Sequence, residues 1–334
     1  LDLAVDVLRE PSFPESEWTR VHAQTLAALR SERDSAEARA HRALLRALYP
    51  GDHPYGVPAD GDEATVVRLG REDLRGFHQG HYRPDRAAWV VAGDVDPDEI
   101  ARALDDRLRG WSGAGGRLDE IPAAEVPSRP RILVVDRPGA PQAVIRVGQV
   151  GVPRLHDDYL DLLVFNQVLG GQFTSRLNSK LREEKGFTYG VRSQFDFRRG
   201  AGPFSVSASL QTDRLSEALT DLRHEVEALL DARPPSAAEL DDARRSLIEG
   251  QARQFETPSA LVARYAGLFL YGLPTDYHAQ LAERLSGVTV DSLVAAARRL
   301  VRPASFVFVV VADAELVVAD LERLGWAEVE VDRD

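Results

Sequence analysis

The sequence predicts an α+β fold of two tandem homologous domains, each a mostly antiparallel sheet packed with helices. Three observations lead there. Helix-period segments and short alternating or all-apolar runs interleave along the chain, as in proteins that pack helices on sheets. The stretch Gly110–Pro130, GWSGAGGRLDEIPAAEVPSRP, carries four glycines and three prolines and breaks all periodicity. The segments on either side of it repeat each other. Tyr55-Gly56-Val57-Pro58 is answered by Tyr271-Gly272-Leu273-Pro274, 216 residues on. Asp73-Leu74 is echoed by Asp291 and Leu293. Arg83-Pro84 matches Arg302-Pro303, and the run Trp89 to Asp94 matches Phe308 to Asp313, both at an offset of 219 residues. Pro14 and Glu17 likewise answer Pro235 and Glu239. One tetrapeptide match is weak, but ordered matches at a near-constant offset point to duplication. The expected division is a first domain at 1–112, a linker at 113–130 and a second domain at 131–334.

Each element has its own local reason. Residues 1–9 read as the middle of an amphipathic helix ended by Pro11 and Pro14, and Glu15–Leu48 as one or two long helices rich in Ala, Leu, Arg and Glu. His53 to Pro58 is loop chemistry. Arg71–Gly80 is a short helix, Ala87–Gly93 a buried strand, and Pro97–Leu108 another helix. Beyond the linker, Arg131–Asp136 and Gln142–Val150 are strands, and Asp157–Leu169 is a helix closed by Gly170 as a C-terminal cap. A second amphipathic segment with Ser175, Arg176 and Arg182 follows, and a turn at Gly186 delivers Tyr189. Tyr189–Phe197 and Phe204–Gln211 both alternate. In the second, Phe204, Val206, Ala208 and Leu210 face one way and Ser205, Ser207, Ser209 and Gln211 the other, which predicts a sheet with one polar face. Leu215–Leu230 is a helix, Ser236-x-x-Glu239 a capping box, Thr257-Pro258 a helix start and Thr289–Val301 a further helix. Ser305–Val311 is an apolar strand, followed by a closing helix and the short strand Glu328–Val331. In the repeat Leu1 aligns near Leu219, so the first copy is expected to lack its opening half, about 88 residues by the second copy's numbering.

Composition narrows the function classes. A net charge of −12 gives no basic stripe for nucleic acid or anionic membrane. With no cysteine there is no disulfide framework or thiolate zinc site, so a metal would need His and carboxylate ligands. No apolar run reaches membrane-spanning length. The cytoplasm is the expected compartment, with a leader ahead of Leu1 left open.

Few residue patterns carry chemistry. His78-x-x-His81 has ligand-like spacing but no third ligand nearby, and reads as a solvated helix face. Gly113 to Gly116 is glycine-rich but lacks the strand before it and the Gly-Lys-Ser/Thr after it that a phosphate cradle needs. Ser175 and Ser193 lack a nucleophile-elbow context and read as structural. Arg182 and Tyr189 differ. An arginine at a helix end and a tyrosine opening the next strand can aim their polar ends at one place, where a guanidinium fork holds a carbonyl or carboxylate and a phenol donates to a developing oxyanion. The alternative is that Tyr189 is only an alternating strand residue and Arg182 pairs with Glu183 or a neighbour.

Leu169-Gly170-Gly171, Ser175-Arg176-Leu177 and Leu181-Arg182-Glu183-Glu184-Lys185-Gly186-Phe187-Thr188-Tyr189 resemble the C-terminal domain of the pitrilysin (insulinase-like) zinc metallopeptidases, the family that includes mitochondrial processing peptidase. The similarity extends to the His53-Pro54-Tyr55-Gly56 loop, the Tyr82 to Asp94 segment, the glycine-rich linker and the final repeat. It implies duplicated α+β domains, a His-x-x-Glu-His zinc motif with a distal Glu on the N-terminal domain, and an Arg and a Tyr seven residues later on the C-terminal domain that hold substrate. Arg182 and Tyr189 match that spacing. The zinc motif would lie in the opening half that the first copy lacks. The helix of the distal Glu resembles Thr19 to Leu29, and there Ala28 stands at the ligand's position. The resemblance therefore implies a bacterial, zinc-free subunit, inactive alone. Its partner would be a homologous zinc-bearing peptidase subunit, with the zinc on that partner and a peptide enclosed between the two. The alternatives are a non-proteolytic structural or assembly subunit, and a self-sufficient zinc peptidase with its motif upstream of Leu1.

Overall fold

The computed structural model describes residues 1–113 and 120–333. Residues 114–119, part of the expected linker and of its glycine cluster, lie outside the described residues. The fold is α+β. Two compact units form, one from Leu1–Ser31, Asp60–Glu120 and Gln251–Tyr277, the other from Glu32–Ala59, Ile121–Gly250 and His278–Asp334.

The first unit is helical: α1 (Asp2–Arg9), most of α2 (Glu15–Asp34), α4 (Glu63–Val66), α5 (Arg71–His81), α6 (Pro97–Leu108) and, from later in the chain, α11 (Pro258–Tyr271). Its starts are chemically marked. The α5 N-cap amide of Gly70 donates to Asp73 Oδ2 at 2.7 Å, and Asp96 Oδ1 accepts from Glu99 N at 2.9 Å with Pro97 in the first turn of α6. Among the described residues no strand forms before Arg131, which corrects the expectation of a strand at Ala87–Gly93 and of a sheet in the first copy. The stretch is extended but unpaired, because an all-apolar sequence becomes a strand only when a neighbouring strand takes its backbone groups.

The second unit holds the sheet. Strands β1 (Arg131–Asp136), β2 (Ala143–Val150), β3 (Thr188–Phe195), β4 (Pro203–Leu210), β5 (Val307–Ala312) and β6 (Val329–Asp332) lie in the order β3-β4-β2-β5-β1-β6. The sheet is mixed, since β1 runs parallel to both β5 and β6 while the other pairs are antiparallel. All six residues of β5 are buried, as expected of a central strand covered on both faces. On one face α3 (Ala36–Leu48) lays Ala36, Ala40, Leu44 and Leu48 against Val144, Val307, Val309 and Val311. On the other face lie α7 (Tyr159–Asn166) and α14 (Ala314–Arg323), with α9 (Leu215–Leu230) and α13 (Val290–Leu300) packed beside them. The remaining helices are the three-residue α8 (Arg176–Asn178), α10 (Ala237–Ala252) and α12 (Tyr277–Ser286).

The duplicated sequence returns as a duplicated order of elements. Helix α5, a 3-10 turn at Pro84–Arg86, an extended run and α6 correspond to α13, a 3-10 turn at Pro303–Ser305, β5 and α14.

The expected cap at Gly170 is also corrected. The helix α7 passes into a π-helical turn at Gln167–Gly171, and Gly170 does not adopt positive φ. A Cβ there would lie 2.6 Å from Ser193 Oγ and 2.8 Å from its amide nitrogen, so glycine is required by close approach to β3.

Candidate functional site

Two π-helical turns, Gln167–Gly171 and Ser179–Glu184, bracket α8 and set the geometry of the stretch that the sequence singled out. Such turns widen the helix and re-aim side chains, and they recur at functional sites. The second turn carries Arg182. Gly186, at φ 65°, then reverses the chain in a left-handed conformation that suits glycine, and β3 begins at Thr188.

Strand β3 carries a bulge between Thr188 and Val191, which leaves Tyr189 and Gly190 out of the ladder. Thr188 Oγ1 closes it, donating toward Ser209 O at 2.7 Å and accepting from Gly190 N at 3.2 Å. Beyond the bulge the outer edge of β3 is sealed: Val191 N donates to Asn178 Oδ1 at 3.0 Å, and Asn178 Nδ2 donates to Val191 O at 2.8 Å. The side-chain amide thus replaces one residue of a neighbouring strand.

These elements and the polar sheet face enclose a cavity of about 510 Å³. Its floor includes Val144 and Arg146 of β2, Ser207 and Ser209 of β4 and Arg192 of β3, and its rim includes Phe173 and Tyr189. Tyr189 is 92% exposed, an unusual state for a large aromatic side chain. The Arg182 guanidinium stacks on the Phe173 ring at 4.0 Å. Its Nη1 lies 2.9 Å from Glu183 Oε1, yet it is buried and makes no hydrogen bond. Arg182 therefore pairs with its neighbour and stacks on Phe173, which lines the cavity, while Tyr189 lines the cavity itself.

Ser175 and Ser193 have structural contacts. Asn178 Nδ2 donates to Ser175 Oγ at 3.1 Å, and Ser193 Oγ donates to Asn166 Oδ1 at 2.8 Å. Arg176 is a clamp: its guanidinium forks onto Glu239 at 2.6 and 2.9 Å and also donates to Arg233 O and Pro234 O. The Arg176 hydrogen bond, reinforced by the Ser236 amide and hydroxyl, pulls the Glu239 carboxyl down to about 2 against the cost of burial. His78 and His81 do not make a metal site. His78 Nε2 lies 2.7 Å from Leu8 O, His81 stacks on Phe77, and no group of three His, Cys, Asp or Glu side chains converges among the described residues.

The sequence missed four features. The π turns have no simple periodic signature. Phe173 follows Gly-Gly-Gln, between two expected helical segments, with no pattern of its own. Asn178 sits among Ser175, Arg176, Ser179 and Lys180, where one more polar residue gives no signal. Arg146, one charge inside the apolar run AVIRVGQV, was visible.

A family profile described as Peptidase M16 inactive domain matches residues 68–247. The chain belongs to that family. Among curated relatives of this M16 chain, the uncharacterized zinc protease YmxG of Bacillus subtilis is 25% identical over 264 residues, covering 79% of the chain and 63% of the relative. The non-peptidase homolog YmxG of Helicobacter pylori is 23% identical over 295 residues, covering 86% and 66%. The M16 chain thus spans just under two thirds of either relative. Among solved structures, a peptidase M16 inactive domain from Pseudomonas fluorescens superposes with a TM-score of 0.81 at 25% identity, covering 93% of this chain and 74% of that one. A chain of complex III2 from Candida albicans shares the fold, with a TM-score of 0.73 at 18% identity, covering 97% and 77%. Among the described residues no group of His, Cys, Asp and Glu side chains fits a zinc centre, and Ala28, which the resemblance sets at the distal ligand's position, is an exposed alanine on α2 with no donor atom.

Proposed function

We propose that this chain is the non-catalytic, substrate-holding subunit of a two-chain M16 peptidase, in which Arg182 and Tyr189 hold a peptide for a homologous zinc-bearing partner. The observation that carries this reading is the pairing of an almost fully exposed Tyr189 on the cavity rim with an Arg182 whose buried Nη1 has no hydrogen bond. A peptide carbonyl or carboxylate offers Arg182 Nη1 the well-aligned acceptor that the Glu183 ion pair does not give it, and the phenol, free of any protein partner among the described residues, is available to donate to the same group. Strand addition along β3 is closed at Val191 by Asn178, so the peptide is held by side chains over the sheet face. The zinc and its bound water belong to the partner.

The test is reconstitution. The chain alone is expected to bind no stoichiometric zinc and to cleave no peptide, while the mixed pair cleaves in a chelator-sensitive way. Arg182→Ala or Tyr189→Phe in this chain is expected to lower kcat of the pair by about 100- to 1,000-fold, the usual cost of losing one such donor. Undiminished activity of the double variant overturns the reading. A structural or assembly role is the second reading, favoured by the relative named a non-peptidase homolog. It predicts a stable complex with a partner and no cleavage under any condition.

A further inference from the structure

We propose that the polar face of the sheet is an anion-recognition site, in which Arg146 and Arg192, on either side of Ser207, take the carboxylate of an acidic residue in the bound peptide. This rests on the peptide-holding reading and adds to it a preference that Arg182 and Tyr189 do not supply. The register places the three residues in one row: Arg146 of β2 opposite Ser207 of β4, and Ser207 opposite Arg192 of β3. Strands lie about 4.8 Å apart, so the two arginines are separated by roughly 10 Å at the backbone with the Ser207 hydroxyl between them. Two guanidinium groups on long side chains at that spacing converge on a single carboxylate above the serine, which can donate a further hydrogen bond. All three line the cavity that Tyr189 borders.

The two arginines also lack the ion pairs that three other arginines of this unit have. Arg176, Arg198 and Arg131 each form ion pairs with Glu239, Asp196 and Glu330. Neither the Arg146 nor the Arg192 side chain makes a hydrogen bond or ion pair among the described residues. Arg146 is moreover half-buried in the middle of β2, and this burial, with no anion to offset it, holds its guanidinium below the usual arginine range. A partly desolvated cation without a counter-charge costs stability, and a bound anion relieves that cost. One acidic side chain, Glu37 of α3, lines the cavity. Its carboxylate accepts from Ser35 Oγ at 3.3 Å and pairs with neither arginine. One helical turn on, His41 has its protonation opposed first by burial and then by Arg146, so it stays neutral there and supplies no counter-charge to the arginines. The cavity therefore carries two cations against one anion. The absence of a wider basic surface on a chain of net charge −12 fits a peptide carboxylate better than a polyanion.

The experiment measures binding of fluorescent ten-residue peptides to the full chain by anisotropy, with glutamate or glutamine at one central position and a free or amidated C-terminus. The glutamate peptide is expected to bind at least 10-fold more tightly than the glutamine peptide, with the difference shrinking at high salt. In Arg146→Gln and Arg192→Gln that preference falls below 3-fold while the glutamine peptide binds as before, and thermal stability is not reduced. Equal binding of both peptides, or equal weakening of both by the substitutions, overturns the proposal. A preference that depends on the C-terminus alone also overturns the side-chain assignment. An independent arm titrates N-acetylglutamate amide and follows the Nε–H resonances of Arg146 and Arg192 by NMR. Shifts in both signals uphold the site even when Arg182→Ala and Tyr189→Phe leave peptide affinity unchanged, which is failure of the peptide-holding reading alone. No shift in either overturns the site.

Discussion

The runs Trp89 to Asp94 and Phe308 to Asp313 descend from the same repeat and follow the same 3-10 turn, yet only the second is a strand. In β5, Val309, Val310 and Val311 are fully buried between β1 and β2, whereas Val91 is 44% exposed in a stretch with no ladder partner. Trp89 and Val91 line an apolar groove with Leu261, Tyr265 and Phe269 instead. The difference shows that apolar content and β propensity make a segment eligible for a sheet, and that the hydrogen-bonding neighbour decides. The same contrast runs through the matched acids. Glu17 pairs with Arg20 on an exposed helix face, while its counterpart Glu239 is gripped by Arg176.

Substitutions at matched positions sharpen or break that contrast. The largest expected effect is at Phe308, where alanine should cost about 3–5 kcal/mol in urea unfolding, against less than about 2 kcal/mol for Trp89→Ala, since Phe308 has no exposed surface and Trp89 is half-buried. Equal costs would show that the first copy's segment is as firmly packed as β5. Next, Arg176→Ala should destabilise by about 2 kcal/mol through loss of its fork and two carbonyl contacts, and Arg20→Ala, which breaks only a solvent-screened pair on an exposed helix face, by far less. The carboxyl of Glu239 is lowered on folding, so its share of stability is present above its ordinary value and is lost as pH falls from about 4.5 toward about 2. Acid titration of the Arg176→Ala variant should lack that component.

Smaller still is the capping pair. Asp313 accepts from Glu315 N and Gly139 N, so Asp313→Ala should cost about 1 kcal/mol, while Asp94→Ala should change stability by less than about 0.5 kcal/mol because Asp96 caps α6 in its place. The smallest effect is at His41, whose protonation is opposed first by burial and then by Arg146 and Arg198. Stability is full above the unfolded value of about 6.5 and declines as pH drops below it toward the lower folded value. Melting curves of His41→Gln should be flatter in that window than those of the unaltered chain.

Much of the candidate site was legible because its determinants are local. Arg182 at a helix end, Gly186 at positive φ and Tyr189 at a strand start follow from turn chemistry and spacing over eight residues. The polar face of β4 followed from alternation, and Ser207 and Ser209 do line the cavity, although Ser205 on the same face is buried. The roles of Phe173, Asn178 and Arg146 were not legible, because each depends on an element distant in sequence. Asn178 matters only because Val191 offers it an open edge, and Arg146 only because β4 and β3 set Arg192 beside it with nothing to neutralise either.

The sequence by itself determined the α+β character, the repeat, nearly every helix start and the Arg182–Tyr189 spacing, all of which rest on periodicity, capping and turn residues within a few positions. Tertiary structure alone decided which of two similar apolar runs became a strand, that β1 lies parallel between β5 and β6, and why Gly170 must be glycine. Those outcomes depend on which backbone meets which, and short-range patterns carry no information about a contact made across the fold.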